Sequence, residues 1–245
     1  MKKFLLLFFL AASAVSLQAQ GLKGLLKKVT GDSALRPIVS ATKSNALSND
    51  EIINGLKEAL QVGADNGTKK LSAVDGFFKD AAIKILMPEE AKKVEQKLRT
   101  VGLGKQVDNA ILSMNRAAEN AAQSAAPIFL NAIKGMSIQD GISILKGGDF
   151  AATNFLKTKT LAQLTDAFRP VIEQSLQKVN ATKYWNTLFS TYNTFSREKV
   201  NPDLSAYVTE KALAGIFYQV GQEEQKIRKD PMARTTDLLK KVFAK

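Results

Sequence analysis

The sequence has no cysteine, no histidine and a single tryptophan. Without cysteine there can be no disulfide, no thiol nucleophile and no Cys-based zinc site. Without histidine there is no imidazole acid–base catalysis and no Ser-His-Asp triad. The Glu-x-x-His element of a di-iron bundle cannot occur either. Beyond the first twenty residues no apolar run approaches the ~20 residues a membrane-spanning helix needs. There is no GxxxxGK[ST] phosphate loop and no DxDxDG-like calcium loop. No RNP-like aromatic motif, zinc-finger spacing or concentrated basic arm points to nucleic acid. No convincing period-2 strand, hairpin signal or 20–50-residue repeat is present. No cofactor and no metal are expected.

What remains is a chain of 245 residues, 45% hydrophobic, with a formal net charge of +12. That length suggests one domain or at most two, and the apolar fraction suffices for a buried core.

The N-terminus reads as a secretory signal over residues 1–19. Met1-Lys2-Lys3 is basic, Phe4 to Leu10 is unbroken apolar sequence, and Leu17-Gln18-Ala19 offers a small residue for cleavage. No cysteine follows, so a lipoprotein anchor is excluded; an uncleaved anchor is the alternative. The expectation is a protein of the Gram-negative periplasm, soluble or peripherally membrane-associated. Export also changes the meaning of the positive charge. Its counterpart becomes an envelope component, an anionic membrane surface or nothing specific, rather than nucleic acid. Residues 20–47 form a flexible basic leader. Within it Leu22, Leu25, Leu26 and Val29 share one helical face opposite Lys23, Lys27 and Lys28. Such a face can lie weakly on an anionic membrane; a poorly ordered tether is the preferred reading.

Residues 48–245 are punctuated as helices, predicting one all-α domain, a bundle of about eight to ten helices with no β-sheet. Ser48-Asn49-Asp50-Glu51 is a capping box, and Ile52, Leu56 and Leu60 follow at helical spacing. Gly55, Gly63 and Gly67 fit there if another backbone packs closely. Asp75-Gly76 breaks the pattern, and Pro88-Glu89-Glu90 opens the next helix, which ends near Gly102-Leu103-Gly104. From about Lys105 to Ala126 a 4-3-4-3 seam runs Val107, Ile111, Met114, Ala118, Ala121, Ala125, Ile128. Pro127 should end or kink that helix. Ser137 to Asp140 opens a short helix that Gly147-Gly148 ends, and Asp149 is expected to cap the next. Thr160 is expected to begin an amphipathic helix with a bend at Pro170. An aromatic helix follows around Tyr184-Trp185 and Phe189. Asn201-Pro202 then starts a long helix to about Lys229, and Asp230-Pro231 opens the last one.

Several polar groups stand where these patterns call for apolar ones. Glu224 takes a seam position with Leu213, Phe217, Val220 and Ile227. A buried carboxylate needs a partner, and Arg228 and Arg234 are the candidates. Either they form a salt bridge locking the C-terminal helices, the preferred reading, or a polar site inside the bundle. Asn115 and Glu119 flank the alanine seam and bond either to a neighbouring helix end or to a ligand. Gly147-Gly148-Asp149 before Phe150 could hold an anion at a helix start, but Asp149 as N-cap would occupy those donors. Carboxylate catalysis through Glu119, Asp140, Asp149 or Glu224 is the one broad enzyme mechanism left comfortably open, and their spacing selects no pair.

Five strings in order, LSNDEIINGLKEAL (47–60), GFFKDAAIKILMPE (76–89), SMNRAAENAA (113–122), DGISILKGGDFAATNFLKTKT (140–160) and EEQKIRKDPMARTTDLLKKVF (223–243), resemble the domain of unknown function family 4197. That family looks like exported, all-helical proteins of Gram-negative bacteria and implies no substrate or reaction. The resemblance marks as family-typical Asn115, Arg116, Glu119, Asp140, Gly147, Gly148, Asp149, Thr153, Thr160, Glu224, Arg228, Asp230, Pro231 and Arg234. Asn115, Arg116, Glu119, Asp140, Asp149, Thr153, Glu224, Arg228 and Arg234 are therefore the candidates for a polar network, binding or structural, with no catalytic residue assigned. A non-catalytic envelope-binding or envelope-support protein is the first expectation. A carrier or sensor with an inter-helix cavity for an apolar or amphiphilic ligand comes second, and a carboxylate-dependent hydrolase third.

Overall fold

Ser48 caps the first helix as its sequence predicts. Its hydroxyl accepts from the Glu51 N–H, and the Glu51 carboxylate accepts from the Ser48 N–H at 2.8 Å. The computed structural model describes residues 48–243, apart from residues 196, 198, 200–202 and 235 and the side chains of residues 184, 187, 188, 191 and 195. The signal segment and the basic leader lie outside the described residues.

Nine helices, and no strand, are found among the described residues. They are α1 (Asn49–Ser72), α2 (Lys92–Thr100), α3 (Gly104–Ala122), α4 (Ala125–Lys134), α5 (Ile138–Lys146), α6 (Ala151–Lys178), α7 (Ala181–Phe195), α8 (Leu204–Lys229) and α9 (Asp237–Val242), with short 3-10 turns at Glu89–Ala91 and Pro231–Ala233. The chain is an all-α multi-helix bundle. None of these helices is long and apolar enough to cross a membrane.

Helix α6 organises the core. Its buried residues Ala152, Leu156, Thr160, Leu164, Phe168, Ile172 and Leu176 recur every fourth position. A helix turns once per about 3.6 residues, so a four-residue step advances the buried stripe ~40° each time. The stripe therefore winds around α6, and the helix packs against α3, α4, α5, α7 and α8 in turn. Thr160 sits within this stripe rather than starting a helix. It is fully buried, with its hydroxyl donating to the Leu156 carbonyl at 2.6 Å. The helix also runs through Pro170, which lies on its exposed side.

The alanine seam of α3 is as tight as predicted: Ala117, Ala118, Ala121 and Ala122 are fully buried where α6 packs on α3. That helix stops at Ala122, earlier than expected, because the chain turns at Gln123-Ser124 and restarts as α4. Pro127 falls in the first turn of α4, where a missing N–H costs nothing. The glycines of α1 do meet neighbours. Gly55 faces Leu238 and Val242 of α9, while Gly63 and Gly67 face Glu223, Gln219 and Val220 of α8. Helix α8 begins at Leu204 with Asp203 as its N-cap, accepting from the Ala206 N–H; residues 201 and 202 lie outside the described residues.

Candidate functional site

Between α1 and α2 the chain takes an irregular path over residues 73–88, mostly turns up to Ile83 and then no regular structure over 84–88. Turn bonds within the segment satisfy several of its backbone groups, such as Lys79 N–H to the Asp75 carbonyl and Lys84 N–H to the Asp80 carbonyl, and those left over need side-chain partners. Asn115 and Glu119, one turn apart on α3, provide such partners. The Asn115 amide accepts from the Ile85 N–H at 2.9 Å and donates to the Ile85 and Ile111 carbonyls, each at 2.8 Å. It thereby stands in for a strand neighbour. Glu119 accepts from the Phe77 and Phe78 N–H groups at 3.1 and 3.2 Å. Its other oxygen takes Arg116 at 2.6 Å, and Arg116 reaches on to Asp75, also at 2.6 Å. Lys79 and then Arg116 hold the Asp75 carboxyl below its ordinary pKa, and Glu119 and Asp75 raise that of Arg116. The backbone partners of Asn115 and Glu119 outside α3, namely Phe77, Phe78 and Ile85, lie in the segment after α1 and not at a helix end. Asp75 itself adopts φ of +69°, a left-handed conformation that aspartate tolerates better than most residues. In the sequence Asp75-Gly76 stands out only as a break, and no spacing marks Asp75, Phe77, Phe78 and Ile85 as partners.

A second cluster surrounds Glu224 on α8. Its carboxylate accepts from the Ala152 N–H at 3.0 Å and from the Thr153 N–H and hydroxyl at 2.8 Å each. It therefore caps the N-terminus of α6 from another helix. Exposed donors and the helix dipole favour an anion there, and the chain supplies its own. Arg228 binds the same carboxylate at 2.8 Å and donates to the Ile144 carbonyl of α5 at 3.0 Å. One salt bridge thus ties α8 to α5 and α6.

Three expectations are corrected here. Asp149 does not cap α6: Phe150 occupies the N-cap position without a side-chain bond, and Asp149 pairs at the surface with Lys229 at 3.0 Å. Arg234 is not the partner of Glu224. It donates to the Ile227 and Arg228 carbonyls at 3.0 Å each, closing the C-terminal end of α8, where orphan carbonyls need donors. Asp140 belongs to the exposed capping box of α5, where Ser137 holds its carboxyl below the usual range. The candidates therefore divide into two clusters with different partners, plus caps. Gln219 and Glu223 are also buried on α8, at positions that no sequence pattern singles out. Gln219 accepts from Lys70 at 2.9 Å and donates to Glu223 at 3.1 Å.

Two larger concavities share Met87 as a lining residue. One, of about 740 Å³, is lined by residues 82–90 and by Tyr207, Glu210, Lys211 and Tyr218 of α8. The Tyr207 hydroxyl donates to the Leu86 carbonyl at 2.8 Å. Burial, aided by Glu90, Glu210 and Glu89, pushes its pKa to about 12. The other is an apolar groove of about 730 Å³. Val94 and Leu98 of α2, Val107 and Met114 of α3, and Trp185 and Phe189 of α7 line it. The last two rings sit 4.3 Å apart. Among the described residues no group of three or more acidic side chains is placed to hold a metal ion.

A family model described as a protein of unknown function, DUF4197, matches residues 46–244. The chain belongs to this family. The match spans both polar clusters and the groove, so all three are parts of the family domain. Neither a curated protein nor a solved structure matches the chain.

Proposed function

We propose that this member of the family is a non-catalytic binding protein, exported to the periplasm, whose working surface is the groove between α2, α3 and α7. The ligand is an anionic amphiphile with its hydrocarbon chain in the groove. The observation that carries this reading is the groove itself. Its volume of about 730 Å³ falls within the ~300–1,000 Å³ of small-molecule sites, which are mostly apolar with a few polar groups at the edge. Glu95, Gln106, Asn109 and Ser113 supply that polar edge. Lys97, Lys105 and Lys178 are exposed near its ends in sequence and suit an anionic head group. A non-catalytic role is supported by the fate of the carboxylates. Glu119 and Glu224 are bound to backbone N–H groups and arginines, Asp140 is a capping residue, and Asp149 pairs with Lys229. The N-terminal sequence supports export.

The single tryptophan makes the test direct. Trp185 lies in the groove wall, so 9,10-dibromostearate bound there quenches its emission through the bromine atoms, while stearate does not. Ala110→Phe, which fills the groove, abolishes the quenching without changing the thermal melt. Emission that stays constant up to the solubility limit of the brominated chain overturns the reading.

A further inference from the structure

Two helix C-termini border the groove, that of α2 through Leu103 and that of α6 through Val179. Helix α2 closes with a Schellman motif: the Leu103 N–H bonds the Leu98 carbonyl at 2.9 Å and the Gly102 N–H bonds the Arg99 carbonyl at 3.2 Å. Gly102 takes φ of +84°, which glycine adopts without strain, and a Cβ placed on it would meet nothing within 4 Å. The turn therefore projects into open space, and its two flanking side chains, Val101 and Leu103, are 70% and 39% exposed. Helix α6 ends in a related way. Asn180 takes φ of +55°, and the preceding Val179 is 53% exposed. Leu103 and Val179 both line the groove, so both turns lie on its rim and form its lip.

Basic residues bracket both tips. Lys97 and Lys105 flank the first and Lys178 adjoins the second, all exposed. Arg99 is held by Glu95 at 2.9 Å and Asp108 at 2.8 Å and adds little net charge. We propose that this lip docks the protein on an anionic lipid surface, with Val101, Leu103 and Val179 entering the head-group layer and the lysines meeting lipid phosphates. Aliphatic tips ringed by lysines are the composition of an interfacial anchor, and long lysine stems let the ammonium stay at the head groups. Three side chains fall far short of the ~20–30 residues a side of a stable protein interface, whereas a fluid surface needs no matching shape. Docking through residues that line the groove also brings it to the bilayer, the source of amphiphiles. The lip shares Leu103 and Val179 with the groove, but membrane docking needs no bound ligand and stands if the groove reading fails.

Flotation of the full mature chain with vesicles tests it. Binding is expected to phosphatidylcholine vesicles containing phosphatidylglycerol, to weaken on raising salt from 0.1 to 1 M as the screening length falls from ~10 to ~3 Å, and to be slight on phosphatidylcholine alone. The triple variant Val101→Ser, Leu103→Ser, Val179→Ser should lose at least tenfold in affinity. Lys97→Gln and Lys105→Gln should each lose about fivefold, the share of one basic residue at an anionic surface. Met232→Ser removes an exposed methionine outside the lip and should change nothing. Vesicle binding that survives the triple substitution belongs to the basic leader and overturns the proposal, as does equal binding to neutral vesicles or no binding at all. Ala110→Phe separates the two readings, because it should abolish the Trp185 quenching while leaving flotation intact.

Discussion

The two buried glutamates solve one problem in two settings. Glu119 and Glu224 each sit on a long helix, accept two successive backbone N–H groups from elsewhere in the chain, and take an arginine within one turn of their own helix. What differs is the backbone they serve. Glu224 caps a 28-residue helix and adds the helix dipole and the Thr153 hydroxyl to its stabilisation. Glu119 holds a turn that leads into no helix, and no dipole helps it. Their arginines differ too. The Arg228 side chain is 16% exposed and spans to the Ile144 carbonyl, whereas that of Arg116 is 36% exposed and keeps Asp75 as a second carboxylate. A buried carboxylate thus fixes tertiary structure by replacing whatever backbone partner the local fold lacks.

This contrast sets an order of expected effects. Glu224→Ala leaves Arg228 buried beside two unsatisfied N–H groups, and breaking such a pair costs about 3–5 kcal/mol; urea unfolding followed by circular dichroism reads it. Glu119→Ala should cost less, about 2–3 kcal/mol, because Arg116 retains Asp75 and water. A larger loss for Glu119 than for Glu224 would erase the distinction. The double variant tests whether the clusters are one network. With no shared partner the two losses should add to within about 0.5 kcal/mol, and a larger coupling energy would show that they act together. Thr153→Val keeps the backbone N–H and removes only the hydroxyl from Glu224, so about 1 kcal/mol is expected.

The smallest effect is a pH dependence. Lys79 and Arg116 lower the Asp75 pKa below its ordinary 3.8. A lowered native pKa means stabilisation that is complete above the unfolded value and lost as pH falls through the native one. Asp75→Asn should therefore flatten the acid limb of the stability curve and change little near neutrality. A variant that keeps the parent's acid limb removes Asp75 from the Glu119 cluster.

Much of the architecture was legible in the chain because it rests on short-range chemistry. The capping boxes at Ser48–Glu51 and Ser137–Asp140 depend on residues three apart, and the alanine seam of α3 needs only helical periodicity. The Glu224–Arg228 pair follows from a four-residue spacing. The same logic misled at Asp149, whose position suggested an N-cap that Glu224 already fills from 71–72 residues away in sequence. It misled at Thr160 too, where a hydroxyl in a helical stripe read as a start because the pattern cannot show that the threonine bonds its own backbone. The partners of Asn115 and Glu119 were invisible for a related reason. They are backbone groups of Ile85, Phe77 and Phe78, and a backbone N–H leaves no mark on residue identity.

By itself, then, the sequence determined the helical class, the two capping boxes, the alanine seam and the exclusion of thiol and imidazole chemistry, since these depend on residue type and local spacing. Only the tertiary structure decided which backbone each buried carboxylate satisfies, that the polar candidates form two clusters, and that α2, α3 and α7 leave an apolar groove beside an exposed lip. Those depend on which surfaces meet after the chain folds, and contact between distant segments is not encoded in the spacing of either one.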